Sequence, residues 1–383
     1  MLVGTIIGAG FASGREILSF FGTDNGVPLI IAPLTGLFIF LVSVLFLSVG
    51  AKVKSDNIGA VNVKVCGKAH IAADMFLLFN GLVSLAAMLA GTHALFSMVR
   101  PAWQAQIFFI PIPPVSVYSL AVGIICVLVV VKGLKGLLRG NSVIVPVIII
   151  TIVIICAAVI FRAPARPAEG TTLGAVTGYE GVRSGFNLRE RLNWINFGMV
   201  FGGFNIRSVI MVLAYVSMNM MLAATVFTTI NQYSKKQIIA ASAIAAVAIS
   251  LLMFFIVLAL NKYNFDGAMP LLQNAQNISQ ALFYVAIAAV AVSVFTTMMT
   301  AMAGLNAWLK PLVGGRGRFS IALILLAGLI VAQIGFENVV GVLYPIIGAL
   351  GAVYITACII FTVRQSKKQN RLILQNNPPL DKI

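Results

Sequence analysis

Residues 4–16 read Gly4-Thr5-Ile6-Ile7-Gly8-Ala9-Gly10-Phe11-Ala12-Ser13-Gly14-Arg15-Glu16, four glycines and a serine running into two adjacent charges. A continuous apolar helix is poorly served by such a string. Glycine lowers helix stability by about 1 kcal/mol relative to alanine, and a charge at membrane depth adds roughly 2.5–3.5 kcal/mol. An unwound segment lining an aqueous cavity would compensate. Its free N–H groups and helix end attract an anion, and its unwound carbonyls suit a cation or an ammonium group. Helix packing is the competing reading, because Gly10 and Gly14 form a small-xxx-small pair. Packing accounts for the glycines and leaves Arg15 and Glu16 unexplained. Two further polar sets lie inside apolar runs. Ser217 and Asn219 sit mid-run in Leu213-Ala214-Tyr215-Val216-Ser217-Met218-Asn219-Met220-Met221, and Thr296, Thr297 and Thr300 follow Phe295. The serine and asparagine either mark a second break or bond to neighbouring helices. Threonine often bonds back to its own helix, so the hydroxyls alone decide nothing.

These residues need a membrane to hold them. The chain has 383 residues, 60% hydrophobic and 9% charged, whereas a soluble domain carries about a quarter charged residues. Several apolar runs exceed the roughly 18 residues that mark a transmembrane helix. Ten runs are predicted, at 2–21, 27–51, 72–99, 115–131, 142–161, 208–230, 238–260, 279–309, 319–335 and 339–363. In hydrocarbon each must pair its backbone within itself, which makes it a helix. The runs do not alternate polar and apolar residues, as barrel strands would.

The net charge of +16 would suggest nucleic acid in a soluble protein. Here the basic residues lie between apolar runs, where they orient the chain, so the expected partner is the bilayer and no nucleic acid is expected. With the N-terminus inside, seventeen Lys and Arg fall on the inner connections and tail. Arg100, Lys262 and six arginines of the long fifth connection, Arg162 to Arg207, fall outside. Apart from that connection the asymmetry predicts ten spans with both termini cytoplasmic. The connection itself forms either a short external structure or a membrane-surface helix around Trp194 to Phe204.

Ten spans divide into two fives, and an odd number per half inverts the second half relative to the first. The predicted organisation is a first repeat over 1–162, an external connection over 163–207, a second repeat over 208–363 and a cytoplasmic tail over 364–383. The third and eighth runs are long enough to tilt. Cys66, Cys126, Cys156 and Cys358 lack CxxC spacing and read as packing residues. His93 reads as a hydrogen-bonded interior histidine or a proton site, and Asp74 and Glu337 read as interfacial. No Walker loop, His-Glu-x-x-His pair or nucleophile elbow is present, so no enzyme activity and no resident cofactor are expected.

Gly8-Ala9-Gly10-Phe11 resembles the Gly-Ser-Gly-Ile type first-helix motif of amino acid–polyamine–organocation permeases. The string from Val3 to Phe21, with Tyr215 to Asn219 and Tyr344-Pro345-Ile346-Ile347-Gly348, is similar to the bacterial putative amino-acid permease family of that superfamily. The resemblance implies an all-α membrane protein with a LeuT-type five-plus-five inverted repeat, in the cell (inner) membrane, with a small-molecule substrate held between broken first and sixth helices. By position, the amides of Gly8, Ala9, Gly10 and Phe11, with Ser13 in the same stretch, would meet a substrate carboxylate. Tyr215, Ser217 and Asn219 would meet its amine or side chain. Thr296 and Thr297 would offer hydroxyl oxygens to sodium beside carbonyls of residues 4–7; Glu16 is the rival coupling group, as a proton carrier. No metal other than that sodium is expected. The Asp-Pro-Gly-Asn and Met-Pro-His signatures of the metal-transporting branch are absent. Only seven residues precede Gly8, about 10 Å of helix, so the start lies upstream or the first helix is truncated. The expected function is an ion-coupled transporter of an amino acid or small zwitterion; a permease-shaped receptor that binds without transport is the alternative.

Overall fold

The computed structural model describes residues 2–21, 28–55, 58–99, 117–132, 135–161, 206–228, 234–262, 267–315 and 317–376. The connection predicted over 163–207 lies almost wholly outside them, including Trp194 to Phe204.

The described chain is all helical. Residues 2–21 form three pieces, α1 (Leu2–Ile6), α2 (Ala9–Ala12) and α3 (Arg15–Phe21). Long helices follow: α4 (Pro28–Val53), a short α5 (Ile58–Cys66), α6 (His70–Ser97), α7 (Val117–Lys132) and α8 (Lys135–Phe161). The second half holds α9 (Ile206–Phe227), α10 (Lys235–Lys262), a short α11 (Pro270–Ile278), α12 (Gln280–Leu312), α13 (Gly317–Ala332), the single turn α14 (Phe336–Asn338) and α15 (Tyr344–Asn376). A π-helical stretch, Val339–Leu343, joins the last two. Among the described residues seven helical stretches are long and apolar enough to cross a membrane, and α7 and α13 are shorter apolar helices. The chain is therefore a multi-pass, all-α membrane protein. Helices lie at all ten places the hydropathy predicts, although the first is broken and two are short.

The outward faces are apolar, as lipid requires: Leu41, Ile125, Ile150, Ile244 and Val353 are all exposed. Inside, α4 packs on α10, α6 on α12, and α9 on α15. The last pair approaches closely because α15 carries glycine at the contact. A methyl group on Gly348 would overlap the Ala214 backbone, and one on Gly351 would lie 3.2 Å from the Ser217 carbonyl oxygen. That small-residue seam brings two backbones together in a medium that offers helices no hydrophobic drive to associate.

Two expectations need correction. The sixth helix is not broken: α9 is continuous. It contains neither glycine nor proline, and Asn219 settles its own polarity by donating from Nδ2 to the Tyr215 carbonyl one turn back, at 3.1 Å. Nor is 8–14 one unwound stretch. It is two breaks around a single helical turn, α2.

Candidate functional site

The first break falls at Ile7 and Gly8. Gly8 is extended (φ −95°, ψ −174°), and its N–H turns back onto the Ile6 carbonyl at 2.9 Å. That leaves the Ile7 carbonyl without a helical partner, and Ser293 of α12 supplies one, its Oγ donating at 2.8 Å. The second break falls at Ser13 and Gly14. Gly14 has φ +80°, the left-handed region that L side chains resist. The Ser13 carbonyl is released to accept from Leu271 N–H of α11 at 2.9 Å; the Ser13 hydroxyl bonds back to the Gly10 carbonyl at 3.2 Å. Arg15, just beyond, leans away from the interior. Its Nη1 donates to the Gly267 carbonyl at 3.0 Å, and its Nη2 lies 3.9 Å from Glu337 Oε2.

Glu16 points the other way, 3% exposed, into a small cavity of about 20 Å³. That volume holds about one water molecule. The first segment supplies Ile6, Gly8 and Glu16 to its wall, α6 supplies Ser84 and Met88, and α9 supplies Met218, Asn219 and Leu222. Thr297 of α12 and Tyr344 at the end of the π-helical stretch complete it. Among the described residues, Glu16 Oε2 and Thr297 Oγ1 are buried and have no hydrogen-bond partner. A buried polar oxygen left without a partner costs about 1–3 kcal/mol. The polar groups of this wall are the Glu16 carboxyl, the Ser84, Thr297 and Tyr344 hydroxyls and the Asn219 amide, and among the described residues it holds no Lys, Arg or His.

The sequence-derived residues divide around it. Gly8, Glu16, Asn219 and Thr297 line the cavity. Ala9, Gly10 and Phe11 are buried behind it, and Gly10 backs directly onto the Glu16 side chain, which would overlap any Cβ there. Ser13 is buried at the second break. Tyr215 packs edge-on against Phe20 and Phe21, both with ring centroids 5.3 Å away, and its buried hydroxyl has no partner among the described residues. Ser217 is buried, and its backbone carbonyl lies against Gly351 of α15. Thr296 turns from Thr297 and donates to the Ser293 carbonyl at 3.1 Å. It lines a second, mainly apolar cavity of about 300 Å³ with Thr92, Phe96 and Phe295. Of the charged residues read as interfacial, Glu337 is the partner of Arg15, while Asp74 accepts from Asn62 Nδ2 at 2.6 Å.

Sequence reasoning missed Ser84, Met88, Met218, Leu222 and Tyr344 as wall residues, and Ser293 as the partner of Ile7. The spacing of Ser293 and Thr297 carried a signal: residues four apart share a helix face, and adjacent ones do not.

No family model matches the chain. It is similar to two proteins of Bacillus subtilis (strain 168) along nearly their whole length. One, described as the uncharacterized membrane protein YkvI, is 22% identical over 361 residues, covering 93% of this chain and 92% of its own. The other, described as the uncharacterized protein YyaD, is 25% identical over 374 residues, 94% of each. The description of the first as a membrane protein agrees with the membrane class that the helices show.

Proposed function

We propose that the protein is an ion-coupled secondary transporter of an amino acid or related small zwitterion, working by alternating access. The observation that carries this reading is the first segment, broken on either side of α2 and meeting a small, partly polar cavity inside a lipid-facing helical bundle. A buried cavity of this kind has no structural use, because a continuous apolar helix would cost less than two breaks and an unpaired carboxyl. A path for a polar solute would use it. The scaffold in this reading is the five-plus-five inverted repeat implied by the permease resemblance, with an intact sixth helix, in a bacterial inner membrane with both termini cytoplasmic. Sodium is the coupling ion, held by Thr297 Oγ1 and carbonyls of the first break.

The test is uptake of labelled amino acids into proteoliposomes under imposed sodium or proton gradients, for wild type, Thr297→Ala and Glu16→Gln. The reading expects sodium-driven accumulation lost in Thr297→Ala. Proton-driven uptake without sodium, lost in Glu16→Gln and intact in Thr297→Ala, would move the coupling to Glu16. Binding with no accumulation under either gradient would make the protein a receptor.

A further inference from the structure

We propose that the outward face of α15 and the basic turn that continues it bind an anionic phospholipid, with an acyl chain along the helix and the phosphate on Arg364 and Lys367. α15 is one unbroken helix from Tyr344 to Asn376, so a face that starts in the hydrocarbon keeps its direction past the end of the apolar run. Ile346, Leu350, Val353, Ile360, Arg364 and Lys367 follow one another at spacings of three, four or seven, which puts them on one side of the helix. The first four are exposed, Val353 to 68%. Arg364, Lys367 and the adjoining Lys368 are exposed as well. The other side of α15 is packed: Tyr354 and Cys358 are buried there. Lys52 of α4 ties down that same side at the level of the basic turn, its Nζ donating to the Thr362 carbonyl at 3.2 Å and the Ser366 hydroxyl at 3.1 Å. The rotation of α15 is thereby fixed, with the stripe turned outward.

Charge and length select the occupant. α15 contains no Asp or Glu, and Arg364, Lys367 and Lys368 make no hydrogen bond or ion pair among the described residues. Lys52 and Lys64, by contrast, are engaged with carbonyls. A guanidinium fork with an ammonium group one turn on is the complement of a phosphate. Val353 lies eleven residues before Arg364, about 17 Å of helix, close to one leaflet's share of a hydrocarbon core about 30 Å thick. A free phosphate would use the basic turn alone, whereas a phospholipid uses the turn and the stripe together. A second copy of the chain is disfavoured by the same residues, because two-fold pairing along this stripe would set Arg364 and Lys367 against their own copies.

The experiment titrates the purified full chain with phosphatidylglycerol, with phosphatidylcholine of the same acyl chains and with inorganic phosphate, and reads bound molecules by native mass spectrometry. Phosphatidylglycerol should bind at least tenfold more tightly than phosphatidylcholine, and phosphate should not bind. Each basic residue at headgroup level is worth about fivefold, so Arg364→Gln/Lys367→Gln should lower phosphatidylglycerol affinity about twentyfold and leave phosphatidylcholine unchanged. Lys235→Gln/Lys236→Gln removes two exposed charges from the first turn of α10 and should leave that affinity within about twofold. In nanodiscs, a phosphatidylglycerol with a photoreactive group in its acyl chain should label α15 between Val353 and Ile360, a readout that needs no variant. The inference is overturned if the two lipids bind alike, if phosphate binds as well as the lipid, or if the α10 variant loses as much as the α15 variant. Labelling confined to other helices would overturn it too. So would disulfide crosslinking of Val353→Cys between copies in the membrane, in a background without the native cysteines, because protein would then cover the face.

Discussion

Gly10→Ala is the smallest change that probes how the first segment and Glu16 depend on each other. A Cβ on Gly10 would overlap the Glu16 carboxyl and also its Cγ. Rotation about the last side-chain bond moves the oxygens but not Cγ, so Glu16 must change rotamer or the α2 turn must shift. Overpacking of this kind costs about 1–3 kcal/mol. If the whole cost falls on the conformation that binds, affinity drops about 5- to 150-fold, at 1.4 kcal/mol per factor of ten. The assay is a double-mutant cycle with Glu16→Ala, read by unfolding in mixed micelles. Gly10→Ala should cost about 1–3 kcal/mol alone and close to nothing in the Glu16→Ala background, because the atoms it strikes are gone. A coupling energy of that size is well above the few tenths expected of independent sites. Strict additivity would refute the claim that Gly10 is glycine in order to seat Glu16.

Further outcomes follow from other contacts. Gly348→Leu should abolish the folded protein, because α15 can no longer approach the Ala214 backbone, whereas Gly304→Ala, with open space around it, should express and elute from a sizing column like wild type. Tyr354→Phe removes the hydroxyl that donates to the buried Asn62 Oδ1 at 2.8 Å; it should cost about 1–3 kcal/mol in the same micelle unfolding assay. In a background without the four native cysteines, single cysteines at positions 24 and 266 should react with an impermeant thiol reagent from outside, and one at 56 only from inside; outside labelling at 56 would reverse the orientation. Those three positions lie outside the described residues.

The all-helical membrane class was legible because its cause is the solvent: lipid demands long apolar runs, and these can be counted. The place of the first break was legible for a local reason, since Gly8 and Gly14 each sit where the backbone leaves the helix. The expected sixth break failed for the same kind of reason. Ser217 and Asn219 were read as either a second break or bonds to neighbouring helices, but an asparagine in a helix without Gly or Pro can satisfy itself one turn back, as Asn219 does. Partners distant in sequence were out of reach. Nothing near Ile7 announces Ser293, 286 residues on, and nothing near Arg15 announces Glu337. Tyr344 was visible within a motif, yet its place in the wall follows from the π-helical stretch before it, a register change that hydropathy does not encode.

The two breaks are secured unequally, and this bears on which side of the first segment moves more easily. On the Gly8 side the described tie to another element is the neutral Ser293–Ile7 hydrogen bond, a class worth about 0.5–1.5 kcal/mol net. On the Gly14 side the chain is held by Leu271 N–H to the Ser13 carbonyl, by the charge-assisted Arg15–Gly267 bond, and by the looser Arg15–Glu337 pair. Charge-assisted bonds are worth about 1.5–3 kcal/mol, while the Glu337 carboxylate is 51% exposed and adds little in water. Opening toward α11 and α14 therefore breaks more than opening at the Ser293 contact.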